Sequence, residues 1–278
     1  CNPLHRATRV VPQAPLCHVS LDDALVEVPP EFTPEEITTG IHMGPTLTQE
    51  QRDLVRDKVW AEGRERVVAS TPGYMRGVKC HIDTPGVDDR RQRPPHSGQV
   101  HWASEQMKQL KPVLDEQTRA GFLTKLRSDF SSRPLLIKKP DGTWRLTVNY
   151  KDLNDLTVGE HFPLPNIQDN LDNLARAKWF TAIDLLAGFH QIEMAEGSVH
   201  KTAFTTPWGQ YAYLRMPMGL KSAPSTFCRM IDAMLQGLPP NIAFPYLDDL
   251  LVATDGTFED HVRDVCLVLD RLVEVGAT

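Results

Sequence analysis

The stretch that most restricts the fold lies near the end of the chain, where Phe244-Pro245-Tyr246-Leu247 and Leu250-Leu251-Val252 flank the adjacent carboxylates of Asp248 and Asp249. Apolar runs on both sides of a short polar break read as a β-hairpin. Two like charges at its tip raise each other's cost of ionisation. The carboxylates could offset that cost by capping turn amides, as aspartates at turns often do, or by sharing a cation. Mg²⁺ takes hard oxygen ligands and is typically held by one or two carboxylates together with phosphate oxygens. A metal site of that kind needs a third carboxylate, and Asp184, which ends the apolar run Phe180-Thr181-Ala182-Ile183, is the candidate. Two ions roughly 3.5–4 Å apart can activate a hydroxyl nucleophile and stabilise a leaving pyrophosphate.

The remaining periodicities describe a mixed α and β chain. A second hairpin is marked by Leu135-Leu136-Ile137-Lys138-Lys139, the turn Pro140-Asp141-Gly142, and Trp144-Arg145-Leu146-Thr147-Val148, with Asp-Gly as its signal. It brings Lys138, Lys139 and Arg145 near one another across two strands. A strand over Trp179–Ile183 gives way to a helical turn between Leu185 and His190, and another strand covers Gln210–Leu214. Helices are expected from a capping box at Thr48-Gln49-Glu50-Gln51, over Ser104–Arg119 with a bend at Pro112, over Ser222–Gln236, and over Phe258–Val275. The last should bury Val262, Val265, Leu269, Leu272 and Val273. A short strand is expected near Val78–Ile82. Residues 1–45, rich in Pro and acidic side chains without a sustained period, read as linker.

Composition sets outer bounds. No apolar run approaches the length that spans a bilayer, which argues against a membrane segment. The 5 cysteines form no C-x-x-C pair, so they read as reduced intracellular thiols, with Cys228 and Cys266 as core residues. The formal net charge of -6 speaks at first against nucleic acid. It is unevenly spread, since residues 51 to 150 hold 19 basic and 12 acidic side chains while residues 151 to 278 hold 9 and 17. An electropositive middle beside an acidic, metal-requiring region is compatible with a polymerase, as it is with solvated faces.

In order along the chain, several blocks resemble the reverse transcriptases of gypsy-type LTR retrotransposons. They are Leu136-Ile137-Lys138-Lys139-Pro140-Asp141-Gly142-Thr143-Trp144-Arg145, Val148-Asn149-Tyr150-Lys151-Asp152-Leu153-Asn154, Phe162-Pro163-Leu164-Pro165, Ala182-Ile183-Asp184-Leu185-Leu186-Ala187-Gly188-Phe189-His190-Gln191-Ile192, Lys201-Thr202-Ala203-Phe204, Met216-Pro217-Met218-Gly219-Leu220 with Ala223-Pro224-Ser225-Thr226-Phe227, and Tyr246-Leu247-Asp248-Asp249. The resemblance implies an α+β fold of right-hand polymerase fingers and palm, an antiparallel palm sheet packed on helices. It divides the chain into a connector with N-terminal helices over 46–130 and fingers and palm over 131–278, ending before a thumb.

The same resemblance assigns the candidate site. Asp184, Asp248 and Asp249 form the catalytic and metal-binding triad, with the Leu185 carbonyl as a further ligand, for two Mg²⁺ ions or Mn²⁺ in their place. Lys139 and Arg145 fall where fingers contact an incoming triphosphate, a point charge and a fork suited to phosphate; alone, each reads equally as a solvated strand charge. Phe189 stands where the family places a ring against the sugar, so that a ribose 2′-hydroxyl clashes; alone it is a core aromatic. Ala187 and Gly188 are small where backbone approaches phosphates, and Met218 and Gly219 would line the pocket, although Gly219 could simply serve a turn. The implied activity is RNA-directed DNA synthesis on an RNA or DNA template with primer and dNTPs. The implied setting is an intracellular particle or the nucleus, alongside the protease, RNase H and integrase segments of a polyprotein.

Departures from the pattern are Asn149 for Asp, Lys151 for Arg and Met218 for Phe or Gln, none of them a metal ligand. An end at residue 278, before a thumb, leads one to expect weak grip on a duplex and little processive synthesis. His81-Ile82-Asp83-Thr84-Pro85 invites comparison with an aspartic-protease loop, but Pro85 replaces the required glycine. An RNA-dependent RNA polymerase shares paired aspartates and is disfavoured by Phe189 and by the Tyr246-Leu247-Asp248-Asp249 form. The alternative from another class is a degenerate or host-domesticated module that binds nucleic acid or protein without turnover; the uninterrupted triad argues against it.

Overall fold

The computed structural model describes residues 8–12, 41–60, 72–89, 91–98, 100–139, 142–159, 174–246 and 249–278. Two compact units interleave along the chain, one made of residues 1–73, 164–187 and 231–278, the other of 74–163 and 188–230.

The first unit is built on a five-stranded sheet whose members are β1 (Thr8–Pro12), β2 (Ile41–Met43), β7 (Trp179–Asp184), β11 (Ala243–Tyr246) and β12 (Asp249–Thr254), in the order β11-β12-β7-β1-β2. The neighbours β11, β12, β7 and β1 run antiparallel, and β2 joins β1 in parallel. Two short strands therefore fall inside the stretch read as linker. Their sequences are too short to show a period, but β7 would otherwise present an open row of backbone N–H and C=O groups, which β1 covers. The rest of the 1–40 stretch lies outside the described residues.

The helix Phe258–Val275 lies against β7 and β12. Thr257 and Asp260 close a capping box at its start, and Gly276, at φ 78°, ends it in the left-handed conformation that a residue without Cβ adopts freely. It buries Val262, Val265, Leu269 and Leu272 as expected, whereas Val273 is 37% exposed. The buried stripe is centred on His261, Val265 and Leu272, which leaves Val273 on its flank in the last turn. The helix Gln49–Val55 begins with the expected capping box at Thr48 and widens into a π-helical turn over Arg56–Trp60. The Cys266 thiol meets the Lys58 carbonyl at 3.7 Å.

The second unit holds a three-stranded sheet, β4 (Leu123–Lys125), β10 (Gly209–Tyr213) and β9 (Phe204–Thr206), in the order β4-β10-β9. Beside it are the parallel pair β3 (Met75–Cys80) and β8 (Ile192–Met194) and the hairpin of β5 (Arg133–Lys138) with β6 (Trp144–Asn149). The helix Ser104–Arg119 packs on β4 and β6 and runs through Pro112 as helix. The strand expected near Val78–Ile82 lies instead at Met75–Cys80, because the Ile82 amide is taken by the Ser198 hydroxyl at 2.9 Å and not by a neighbouring strand. Lys201, buried, donates to the Ile82 carbonyl at 3.0 Å and pairs with Asp88 at 2.9 Å. The segment that invited comparison with a protease loop is thus part of the packing, with Thr84 fully buried.

The helix Ala223–Leu235 starts in the second unit, its residues up to Met230 belonging there, and Gly237, at φ 88°, follows it. Phe227, Met230, Ile231 and Met234 are buried along it, but Cys228 is only half-buried, not a core residue. Position 228 falls beside the apolar stripe that those four residues define.

Candidate active site

In the first unit β7 ends at Asp184 and β12 begins at Asp249, and the antiparallel register sets these residues directly opposite one another. Paired α-carbons in such a ladder are about 4.5–5.5 Å apart. Two aspartates thereby occupy the same end of adjacent strands, reached from opposite chain directions. Asp248 and Leu247 lie outside the described residues, as does Phe162-Pro163-Leu164-Pro165.

Strand alternation explains the exposure of Asp184. Thr181 and Ile183 are buried, while Ala182 and Asp184 are half-buried on the other face. Ile183 pairs with Leu250 and Thr181 with Val252, each of them 2% exposed or less. Beyond Asp184 the Leu185 side chain is buried and the Leu186 amide donates to the Thr278 carbonyl at 3.0 Å. Ala187 follows at φ 49°, a left-handed conformation unusual for a residue with Cβ. Among the described residues no cluster of three or more His, Cys, Asp or Glu side chains is arranged for a metal. The donors that are described at this strand end, carboxylate and carbonyl oxygens, are those a hard divalent cation takes.

Beneath these strands is a polar network that sequence reasoning missed. His261 is 1% exposed and uses both ring nitrogens, Nε2 with the Thr181 hydroxyl of β7 at 2.8 Å and Nδ1 with the Thr254 hydroxyl of β12 at 3.0 Å. The Thr254 hydroxyl also donates to the buried Asp264 carboxylate at 2.8 Å. Burial holds the His261 imidazole down, to a pKa of about 4, so it is neutral at physiological pH. The signal was a histidine on the apolar stripe of a helix, where a buried polar group needs partners.

The second unit carries Lys139, Arg145, Gly188, Phe189, Met218 and Gly219, whereas Leu185 and Ala187 belong to the first. In the hairpin Arg145 stands opposite Ile137 and Trp144 opposite Lys138. Lys139 lies just past the ladder, its amide donating to the Thr143 carbonyl at 2.8 Å and its carbonyl accepting from Gly142 at 3.0 Å. Pro140 and Asp141, the expected centre of that turn, lie outside the described residues. The exposed Arg145 guanidinium touches the Met218 thioether, and its positive charge helps to lower the His190 pKa, after burial.

Gly219 has φ 90°, so a turn conformation closed to most side chains, and not lack of space, demands glycine there. Its carbonyl accepts from the Asn154 side chain at 2.8 Å. Gly188 opens a 3₁₀ turn over Gly188–Gln191. Phe189, half-buried in that turn, packs on Phe227 with ring centroids 5.1 Å apart. The structure therefore joins Arg145 with Met218, and Met218 with Gly219 by sequence.

The family model for reverse transcriptase (RNA-dependent DNA polymerase) matches residues 137–278. The chain belongs to the reverse transcriptase family. This reverse transcriptase chain is 36% identical over 186 residues to the retrovirus-related Pol polyprotein of transposon 297 from Drosophila melanogaster, covering 65% of itself and 18% of that polyprotein. Against the polyprotein of transposon gypsy it is 34% identical over 160 residues, 55% of itself and 15% of the other. An RNA-directed DNA polymerase homolog from Oenothera berteroana is 33% identical over 126 residues, 45% of this chain and 89% of that protein. The chain thus spans less than a fifth of the transposon polyproteins it resembles.

Its fold is shared with the crystal structure of the prototype foamy virus protease-reverse transcriptase, at a TM-score of 0.72 and 22% identity over 84% of this chain and 30% of that one. A foamy viral protease-reverse transcriptase in complex with an RNA/DNA hybrid aligns at a TM-score of 0.71. The α+β class and the gypsy-type resemblance expected from the sequence are what these likenesses show. The structure of this reverse transcriptase contains no helix, among the described residues, long and apolar enough to cross a membrane.

Proposed function

We propose that this chain supplies the polymerase core of a retrotransposon polyprotein, an RNA-directed DNA polymerase that adds deoxynucleotides to a primer 3′-hydroxyl on an RNA or DNA template. The observation that carries the reading is the register of Asp184 opposite Asp249 at one end of β7 and β12, in a chain of reverse transcriptase family. Asp184, Asp248 and Asp249, with the Leu185 carbonyl, would hold two Mg²⁺ ions, Mn²⁺ being the alternative. Such ions, when bound, lower the pKa of an attacking hydroxyl and neutralise a leaving pyrophosphate.

The protein's own part is positioning. Lys139 and Arg145 bind the triphosphate of the incoming dNTP, the first as a compact charge and the second as a planar fork. The small residues Ala187 and Gly188 leave room for phosphate near the backbone. Phe189 excludes a ribose 2′-hydroxyl, while Met218 and Gly219 bound the pocket beside the templating base pair. The partners are template, primer and the protease, RNase H and integrase segments of the same polyprotein, in an intracellular particle or the nucleus.

The test is extension of a DNA primer on an RNA template with Mg²⁺, offering dNTPs or NTPs to the unaltered protein and to Asp248→Asn. Extension with dNTPs that disappears in Asp248→Asn is expected. Equal activity in the two proteins would sink the catalytic assignment, and equal use of dNTPs and NTPs would remove Phe189 from its role.

A further inference from the structure

We propose that His190 is a positioning residue that ties the Phe189 turn to the Met218-Gly219 loop and thereby sets how sharply the pocket discriminates among nucleotides. The inference rests on the nucleotide-binding role proposed above for Phe189, Met218 and Gly219. All residues it uses lie in the second unit.

The backbone leading into the loop is held as far as Met216 by ordinary pairing, since the Met194 amide donates to the Leu214 carbonyl at 2.9 Å and the Met216 amide to the Ile192 carbonyl at 2.8 Å. Past that point Pro217 has no N–H to give. The Met216 carbonyl is taken by the His190 ring through Nδ1 at 3.0 Å. A carbonyl only accepts, so Nδ1 carries the proton. The far side of the loop is gripped by one amide side chain, Asn154, whose Nδ2 donates to the Gly219 carbonyl at 2.8 Å and whose Oδ1 accepts from the Lys221 amide at 2.8 Å. The backbone from Met216 to Lys221 is thus held by His190 at one end and Asn154 at the other. Its side chains meet Arg145, at Met218, and the Thr157 carbonyl, to which the Lys221 ammonium donates at 2.9 Å.

His190 is well placed for this work. It sits next to Phe189 in the same 3₁₀ turn, so one residue packs on Phe227 while the other holds the loop. Its ring packs in tilted contact with Phe122, at 5.7 Å, and Tyr213, at 6.1 Å between centroids. Burial, and after it the charges of Arg145 and Arg215, lower the imidazole pKa against the opposing effect of its bond to the Met216 carbonyl. A ring without Nδ1 would leave the carbonyl of Met216, itself a fully buried residue, unpaired.

His190→Phe keeps the ring and its aromatic neighbours but removes the donor, and His190→Asn places an amide N–H near the position of Nδ1. Three measurements separate positioning from general structure: the melting temperature, the ratio of kcat/KM for dNTP over NTP in primer extension, and hydrogen exchange of the Gly219, Leu220 and Lys221 amides. In His190→Phe the ratio should fall about fivefold, the effect of one lost hydrogen bond, with faster exchange confined to the loop. His190→Asn should recover most of both. An unchanged ratio in His190→Phe overturns the inference, as does exchange that quickens equally in the helix Ser104–Arg119. If the unaltered protein extends no primer, the proposed function falls, and exchange alone then decides: acceleration confined to the loop supports the clamp and unchanged exchange refutes it.

Discussion

The two hairpins that carry opposite charges are built into the molecule in opposite ways. The hairpin β11–β12 continues through β7 into a five-stranded sheet with the helix Phe258–Val275 against it, and Leu250 and Val252 are 1% and 0% exposed. The hairpin β5–β6 pairs only within itself among the described residues. The helix Ser104–Arg119 covers one face, where Leu146 and Val148 are buried, but Leu135 and Ile137 on the hairpin's outward face are 41% and 51% exposed. Carboxylates that share ions tolerate little displacement and belong on the rigid element. Cations that meet a flexible triphosphate work from a more adaptable one. On the roles proposed above, the acidic hairpin is the part whose disturbance should stop chemistry, the basic hairpin the part whose disturbance should weaken binding.

The sharpest way to break this contrast is to remove one charge from each. Asp184→Asn should lower kcat for primer extension on the order of a thousandfold, whereas Arg145→Ala should raise KM for dNTPs about tenfold with a smaller effect on kcat. Equal losses in kcat would erase the distinction. Packing supplies the next test: Leu250→Ala should cost about 3 kcal/mol of stability in denaturant unfolding, and Ile137→Ala less than about 0.5 kcal/mol.

The buried histidine under the acidic hairpin adds a pH signature that the basic one lacks. His261 titrates at about 4 in the folded protein against an ordinary 6.5, so between those values the unfolded chain binds a proton that the folded one does not. Stability is therefore complete above pH 6.5 and declines as pH falls toward 4, by up to about 3 kcal/mol. His261→Gln should flatten that part of the curve; an unaltered slope would show that other groups produce it. The smallest effect is expected at Ala187, where glycine would relieve the left-handed backbone and raise stability by roughly 0.5 kcal/mol, read as a rise in Tm.

Elements with a clear period were readable in advance. The helices Ser104–Arg119 and Phe258–Val275, and the end of β7 at Asp184, stand where apolar spacing and end signals place them. What was hidden depends on partners far away in sequence. Met75 belongs to a strand because β8 lies beside it, and Thr8–Pro12 is a strand because β7 is. The part played by His261 and Asp264 shows only once Thr181 and Thr254 are seen to supply their hydrogen bonds. Within the candidate site, residue types spoke for chemistry, but the hold of Asn154 and His190 on the Met216–Lys221 backbone had no signature, since it joins side chains to main-chain atoms dozens of residues away.

The pairing of β1 along β7, from Arg9 opposite Ala182 to Pro12 opposite Trp179, also bears on how the protein behaves in a test tube. A version trimmed to start after Pro12 would bare the flank of the strand that bears Asp184. Such an uncovered flank recruits strands from other molecules, so the trimmed protein should precipitate on concentration and lose activity through self-association while its carboxylates remain intact.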